Sequence, residues 1–143
     1  YGESVLAMAF AAAGRYDEVA PRAAAVRAAA RSTSLDRATA DLAEGLARVA
    51  SGSDGLPVFE RLLIDLGATD DVLAMAIARL GRAVAMEALG DPDTAGAAAE
   101  ADLAFGDLGI PAVGWRRLFR QILGLPPEAP VIDVRPRAQA GLA

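Results

Sequence analysis

A chain of 143 residues has the length of one domain, since domains usually run about 100–200 residues. Ala supplies 35 of those residues and aromatics only 5%; because Ala is the best helix former and fills little core volume, this is the composition of close-packed helices. Cys, His and Lys are absent and all 14 basic residues are Arg, which excludes thiol and imidazole catalysis, Cys/His zinc sites, lysine Schiff bases and a phosphate-loop lysine. A net charge of −5 argues against whole-surface binding to nucleic acid or to an anionic membrane.

In chain order, a first helix is expected over Glu3–Ala13, with Val5, Leu6 and Phe10 on an Ala background and Gly14 ending it. A second runs from about Asp17 to Arg31, with Val19, Ala23, Val26 and Ala30 on one face and Pro21 in the first turn, where a missing N–H is tolerated. Ser34 is placed to cap a third, lined by Leu35, Ala38, Leu42, Leu46 and Val49. Gly52–Gly55 breaks the chain, and Leu56–Leu66 follows in amphipathic order with Phe59, Leu62, Leu63 and Leu66.

The fifth helix, about Asp70–Leu89, puts Leu73, Ile77, Leu80 and Val84 on its inner face. Gly90 then serves as C-terminal cap, Asp91 as the next N-cap and Pro92 as first helical residue. A sixth helix reaches about Leu108, and Pro111 opens a seventh with Trp115, Leu118, Phe119, Ile122 and Leu123 on one side and Arg116, Arg117 and Arg120 opposite. Residues 125–143, with Pro126, Pro127, Pro130 and Pro136, read as an extended or disordered tail in which Val131–Val134 adds one strand-like contact. The fold class is all-α.

The longest uncharged stretch, Ser4–Gly14, is far short of the roughly 20 residues that span a bilayer, and no basic leader precedes it. Absent cysteine suits a reducing cytoplasm. A chain opening on Tyr1 reads as part of something longer, and Arg without Lys or Asn has the look of a GC-rich bacterial genome.

Gly14, Gly52 and Gly90 lie 38 residues apart, each between two helices, and seven residues before each stands a small one: Ala7, Gly45, Ala83. A rival self-similarity at an offset of 67 pairs Val5–Arg15 with Val72–Arg82. The 38-residue spacing is preferred, because Gly90-Asp91-Pro92 makes a credible turn whereas Gly81 sits inside a continuous helical pattern.

Ala7, Phe10, Gly14, Tyr16 and Val19 occupy the signature places of the inter-helix turn of a tetratricopeptide repeat, Val19 replacing the usual Ala. Ala88–Ala95 with Ala104–Pro111 is similar to a degenerate version, while Trp is absent from the repeat's first signature position. The region 1–124 therefore resembles the helical-repeat region of large bacterial ATPase-type transcription regulators of the LuxR and maltose-regulator kind. The resemblance implies antiparallel helix pairs in a right-handed superhelix, about three pairs plus a capping helix, receiving an inducer or partner protein.

Sites are sparse. Asp65, Asp70 and Asp71 flank a turn, where capping by Asp70 or Asp71 outweighs acid–base work. Asp91, Asp93 and Asp102 echo a calcium loop only faintly, because Ala95 takes a ligand position. No catalytic, cofactor or metal residue is expected, and the chain is read as a non-enzyme. The concave face of a repeat scaffold binds, and here Met8, Leu46 and Val84, with Ser4, Leu42 and Leu80 one turn earlier, make it apolar. Either an amphipathic helix or apolar peptide lies on that face, or the strip is core. Arg116, Arg117 and Arg120 form a positive stripe that either grips a carboxylate, a phosphate or an acidic partner helix, or is a solvated outer face. The expected partner is a protein or peptide, with a second copy of the chain or a small-molecule effector as alternatives, and with neither nucleic acid nor membrane.

Overall fold

The computed structural model describes residues 2–128, so most of the Pro-rich tail, Val131–Val134 included, lies outside the described residues. Among these there are seven α-helices and no strand: α1 Gly2–Ala12, α2 Val19–Ala28, α3 Ser34–Ala50, α4 Leu56–Gly67, α5 Val72–Ala88, α6 Thr94–Leu108 and α7 Val113–Ile122, with a 3-10 turn at Tyr16–Glu18 before α2. The all-α expectation holds.

One turn recurs. α1, α3 and α5 end at Ala12, Ala50 and Ala88, and two backbone hydrogen bonds close each end. Gly14, Gly52 and Gly90 donate to the carbonyls of Ala11, Val49 and Glu87, and the next N–H groups donate to Phe10, Arg48 and Met86. Each glycine has a left-handed backbone, φ 73°, 84° and 67°, the conformation that closes a helix C-terminus and that a side chain disfavours. The same turn also closes α6 at Gly109 and α7 at Gly124, with φ 66° and 67°, so it is a general helix end and is not confined to the 38-residue spacing.

Helix starts differ more from expectation. α3 is capped by Thr33 instead of Ser34: Thr33 Oγ1 accepts from Asp36 N–H at 3.1 Å and Asp36 Oδ2 accepts from Thr33 N–H at 3.2 Å, a reciprocal capping box. Ser34 Oγ donates instead to Asp71 Oδ2 at 3.0 Å, while Asp71 caps α5 by accepting from Ala74 N–H at 3.0 Å. Asp91 does not cap α6; its Oδ1 accepts from Asp93 N–H at 2.8 Å in a local Asx turn, and α6 begins three residues later.

Each of α1, α3 and α5 packs against the helix that follows it, and α2 and α4 also pack against α3 and α5. The small residues of the recurring position, Ala7, Gly45 and Ala83, are all buried. A Cβ on Gly45 would lie 2.9 Å from the Phe59 ring, and one on Gly55 only 2.4 Å from the Gly45 carbonyl oxygen. The α3–α4 approach therefore needs glycine on both sides.

The seventh helix decides the architecture. α7 packs on α1, α3 and α5 and makes no backbone contact with α6, the helix it follows in sequence. It lies across the inner row and closes it. Phe119 and Ile122 are fully buried, and Gly81 leaves room for Leu42, Phe59 and Phe119 around it. Tyr16 Oη, from the first inter-helix turn, donates to the Ile122 carbonyl at 3.0 Å, tying the start of the chain to the end of α7.

Candidate functional site

Met8, Leu46 and Val84 sit on the three inner helices, as the recurring spacing implies, but all three are buried, with Leu46 wholly inaccessible. The apolar strip is core, and α7 covers its open side. Of the two sequence readings of the strip, the burial of Met8, Leu46 and Val84 fits the one in which it is core. Trp115, placed by the sequence on the apolar side of the seventh helix, is 37% exposed and leans on Phe119 with ring centroids 6.0 Å apart. Phe119 is the anchor, because the α7 face that meets α5 is centred one turn beyond Trp115.

The arginine stripe is divided by the same rotation. Arg120 does not stand opposite the apolar face; it is buried, its Nη1 donating to Glu87 Oε2 at 2.6 Å and its Nε to the Pro126 carbonyl at 2.9 Å. It clamps α7 to the end of α5 and orders the chain beyond Gly124. Arg116 reaches back to Asp102 on α6 and lies 3.7 Å from Glu128. This side-chain pair joins α6 to α7, which have no backbone packing. Arg117 is exposed and makes no ion pair with a described residue. The three arginines do converge, with Gln121, Leu125 and Glu128, on a cleft of about 500 Å³. Val84 lines a neighbouring hollow with Arg116, whereas Met8 and Leu46 line neither. Two of the three guanidiniums are already committed to carboxylates of this chain.

A second charged cluster lies at the α2–α3 seam. Arg27 Nη1 donates to Asp41 Oδ1 at 2.5 Å and to Glu44 Oε2 at 2.8 Å, and Arg48 Nη2 donates to Glu44 Oε1 at 2.8 Å. Asp41 and Glu44 are buried. Burial pushes the Asp41 carboxyl above its usual value, more than the guanidinium of Arg27 and the more distant Arg61 pull it down. Glu44 meets the same burial but touches two guanidiniums, which together hold it below the usual range. For Arg27 burial acts downward, and the two carboxylates outweigh it and raise its affinity for the proton. Among the described residues no buried side-chain nitrogen or oxygen lacks a partner, so this cluster is satisfied structure.

Sequence reasoning missed the cleft beside that cluster. Between α2, α3 and α4 a hollow of about 310 Å³ is lined by Arg27, Arg37, Asp41, Arg61 and Asp65 over an apolar floor that includes Leu62 and Leu66. Arg37 and Arg61 each precede an Asp by four residues, so in sequence both look like ordinary helix-surface pairs. In the fold neither pair forms, because Asp41 turns inward to Arg27 and the Arg-before-Asp order is the weaker orientation along a helix. No pattern in the sequence would have singled them out.

The fold and these clefts define an all-helical domain in which α7 packs on the inner helices α1, α3 and α5. Comparison with family models, curated proteins and solved structures finds no match to the chain. No helix among the described residues is long and apolar enough to cross a membrane, and no cluster of three or more acidic residues among them is placed to hold a metal ion.

Proposed function

We propose that this chain is a non-catalytic interaction module, built of tetratricopeptide-like helix pairs in a right-handed superhelical arrangement and serving as the partner-binding or sensing segment of a larger cytoplasmic bacterial regulator. One observation supports this reading above the others. The apolar inner face made by α1, α3 and α5 holds an amphipathic helix, α7, through Phe119 and Ile122 at its centre and the Arg120–Glu87 pair at its rim. A face that takes α7 has the shape and chemistry to take a partner helix of the same pattern, apolar at three- and four-residue spacing with an arginine placed for Glu87. The partner then competes with α7, and its apparent affinity is its intrinsic affinity multiplied by the fraction of time α7 is away.

A labelled peptide of residues 110–124, titrated against the full chain by fluorescence anisotropy, tests this. Binding is expected to be weak to the wild-type chain and at least about tenfold tighter to Phe119→Ala, whose own α7 is loosened. If Phe119→Ala keeps its helical circular dichroism and still ignores the peptide, the groove is merely core and the reading is wrong. Self-association is a second reading with its own support: because α7 does not pack on α6, the same face can receive α7 from a second copy. A concentration-dependent doubling of mass in light scattering, abolished by Phe119→Ala, distinguishes it.

A further inference from the structure

We propose that the cleft between α2, α3 and α4 is a binding site for a small organic carboxylate, held between Arg37 and Arg61. The proposal is independent of the groove and of α7. It rests on which guanidiniums in this molecule are already paired. Arg15, Arg22, Arg27, Arg48, Arg116 and Arg120 each have a carboxylate of the chain within ion-pair distance. Arg37 and Arg61 have none among the described residues, yet they come from two different helices onto one concave surface. Two guanidinium forks converging on a hollow is the arrangement that grips a planar oxyanion with paired hydrogen bonds.

The charge count selects the class of anion. Three guanidiniums, of Arg27, Arg37 and Arg61, face the carboxylates of Asp41 and Asp65 across the cleft. Behind Arg27, Glu44 is shared with Arg48. One positive charge is left over, which a monoanion neutralises and a dianion overshoots beside Asp65. The floor supplies the rest of the recognition: Ala38, Leu62 and Leu66 line the hollow, and the roughly 310 Å³ it encloses is at the lower end of ligand-sized cavities. A short aliphatic carboxylate places its head on Arg37 and Arg61 and its tail on the leucines. At the other candidate, the α7 cleft, Asp102, Glu87 and Glu128 already stand on Arg116 and Arg120, so only Arg117 is left to offer.

The test is calorimetric titration of the full chain with hexanoate, acetate and inorganic phosphate at one fixed ionic strength. Hexanoate is expected to bind saturably and more tightly than acetate or phosphate. Because a hydrogen bond to a charged group is worth a factor of about ten or more, Arg37→Gln and Arg61→Gln each weaken hexanoate by about that factor. Both residues are exposed, so the variants keep the wild-type circular dichroism, and Arg117→Gln, which changes an arginine outside this cleft that has no ion pair with a described residue, binds as wild type does. Absence of saturable hexanoate binding overturns the proposal, as does hexanoate binding that Arg37→Gln and Arg61→Gln leave unchanged. An equal loss in Arg117→Gln shows diffuse attraction and also overturns it, and phosphate binding tighter than hexanoate removes the carboxylate assignment.

Discussion

The two arginine-lined clefts of this molecule look alike by residue type and differ in what the fold has done with the charges. At the α7 end, Arg116 and Arg120 are held by Asp102 and Glu87, carboxylates on helices that α7 must be fastened to. At the α2–α3–α4 cleft, Arg27 takes two buried carboxylates, one of them shared with Arg48, and Arg37 and Arg61 are left over. An arginine stripe in a sequence measures potential, and only the neighbours in space decide whether that potential is used internally. Arg120 is buried and drawn into an internal pair, because an unpaired buried charge costs far more than an exposed one.

This contrast can be broken or sharpened by substitution, beginning with the residue that seats the α7 end at all. Phe119→Ala removes a fully buried ring from between Gly81 and the inner helices and is expected to cost about 3–5 kcal/mol in urea unfolding. A loss below about 1 kcal/mol would mean that α7 is not anchored as described. Next comes Arg27→Met, which strands Asp41 in a buried seam and leaves Glu44 with Arg48 alone; about 1–3 kcal/mol is expected, moderated by the 35% exposure of the Arg27 side chain. Arg120→Met is milder, about 1–2 kcal/mol, because Glu87 stays 42% exposed and can turn to water once its partner is gone. Its signature should be local, with faster amide exchange at Leu125, whose N–H donates to the Arg120 carbonyl.

A pH series probes the same seam. Glu44 has a lowered folded-state pKa, so the native state binds its proton less readily than the unfolded chain does. Its stabilising contribution is present above the ordinary glutamate range and is lost as pH falls through the folded value. Asp41 works the other way: its raised value means that it costs stability as pH rises from the ordinary aspartate range through the folded value. Glu44→Gln should therefore lose less stability between about pH 5 and 3 than the wild type, and Asp41→Asn should lose more. Identical acid profiles in all three proteins would show that the seam does not titrate as its geometry implies. Smallest of all, Arg117→Ala should change unfolding by less than about 0.5 kcal/mol, and a larger loss would reveal a pairing for Arg117 that the exposed side chain does not suggest.

Much of the architecture was legible because it depends on local chemistry. Gly14, Gly52 and Gly90 marked the helix ends, since only glycine takes a left-handed C-terminal position without strain. Gly45 marked where α3 and α4 close, since a missing side chain is what permits close approach. Helix starts were less legible: Thr33 displaced Ser34 because Asp36 lies three residues from Thr33 and completes a reciprocal box. The candidate site was hardly legible. Arg37 and Arg61 are separated by 24 residues, and both resembled partners of an Asp four residues on.

The limits of the 38-residue spacing show where sequence ends and tertiary structure begins. That spacing carries Arg27, Asp41 and Glu44 onto Asp65, Arg79 and Arg82, the same pattern with the charges reversed. Pattern alone gives both seams an ion network, yet only the first forms one. By itself the sequence determined an all-helical chain, its turns, the residues that allow close pairing and the apolar identity of the inner face, because each of these follows from the propensity or the size of a residue in its own turn of helix. The tertiary structure decided that α7 crosses α1, α3 and α5 and covers that face, that Arg120 points inward, and that Arg37 and Arg61 meet unpaired. Those outcomes depend on rotations of a few tens of degrees between packed helices, a quantity that no residue carries alone.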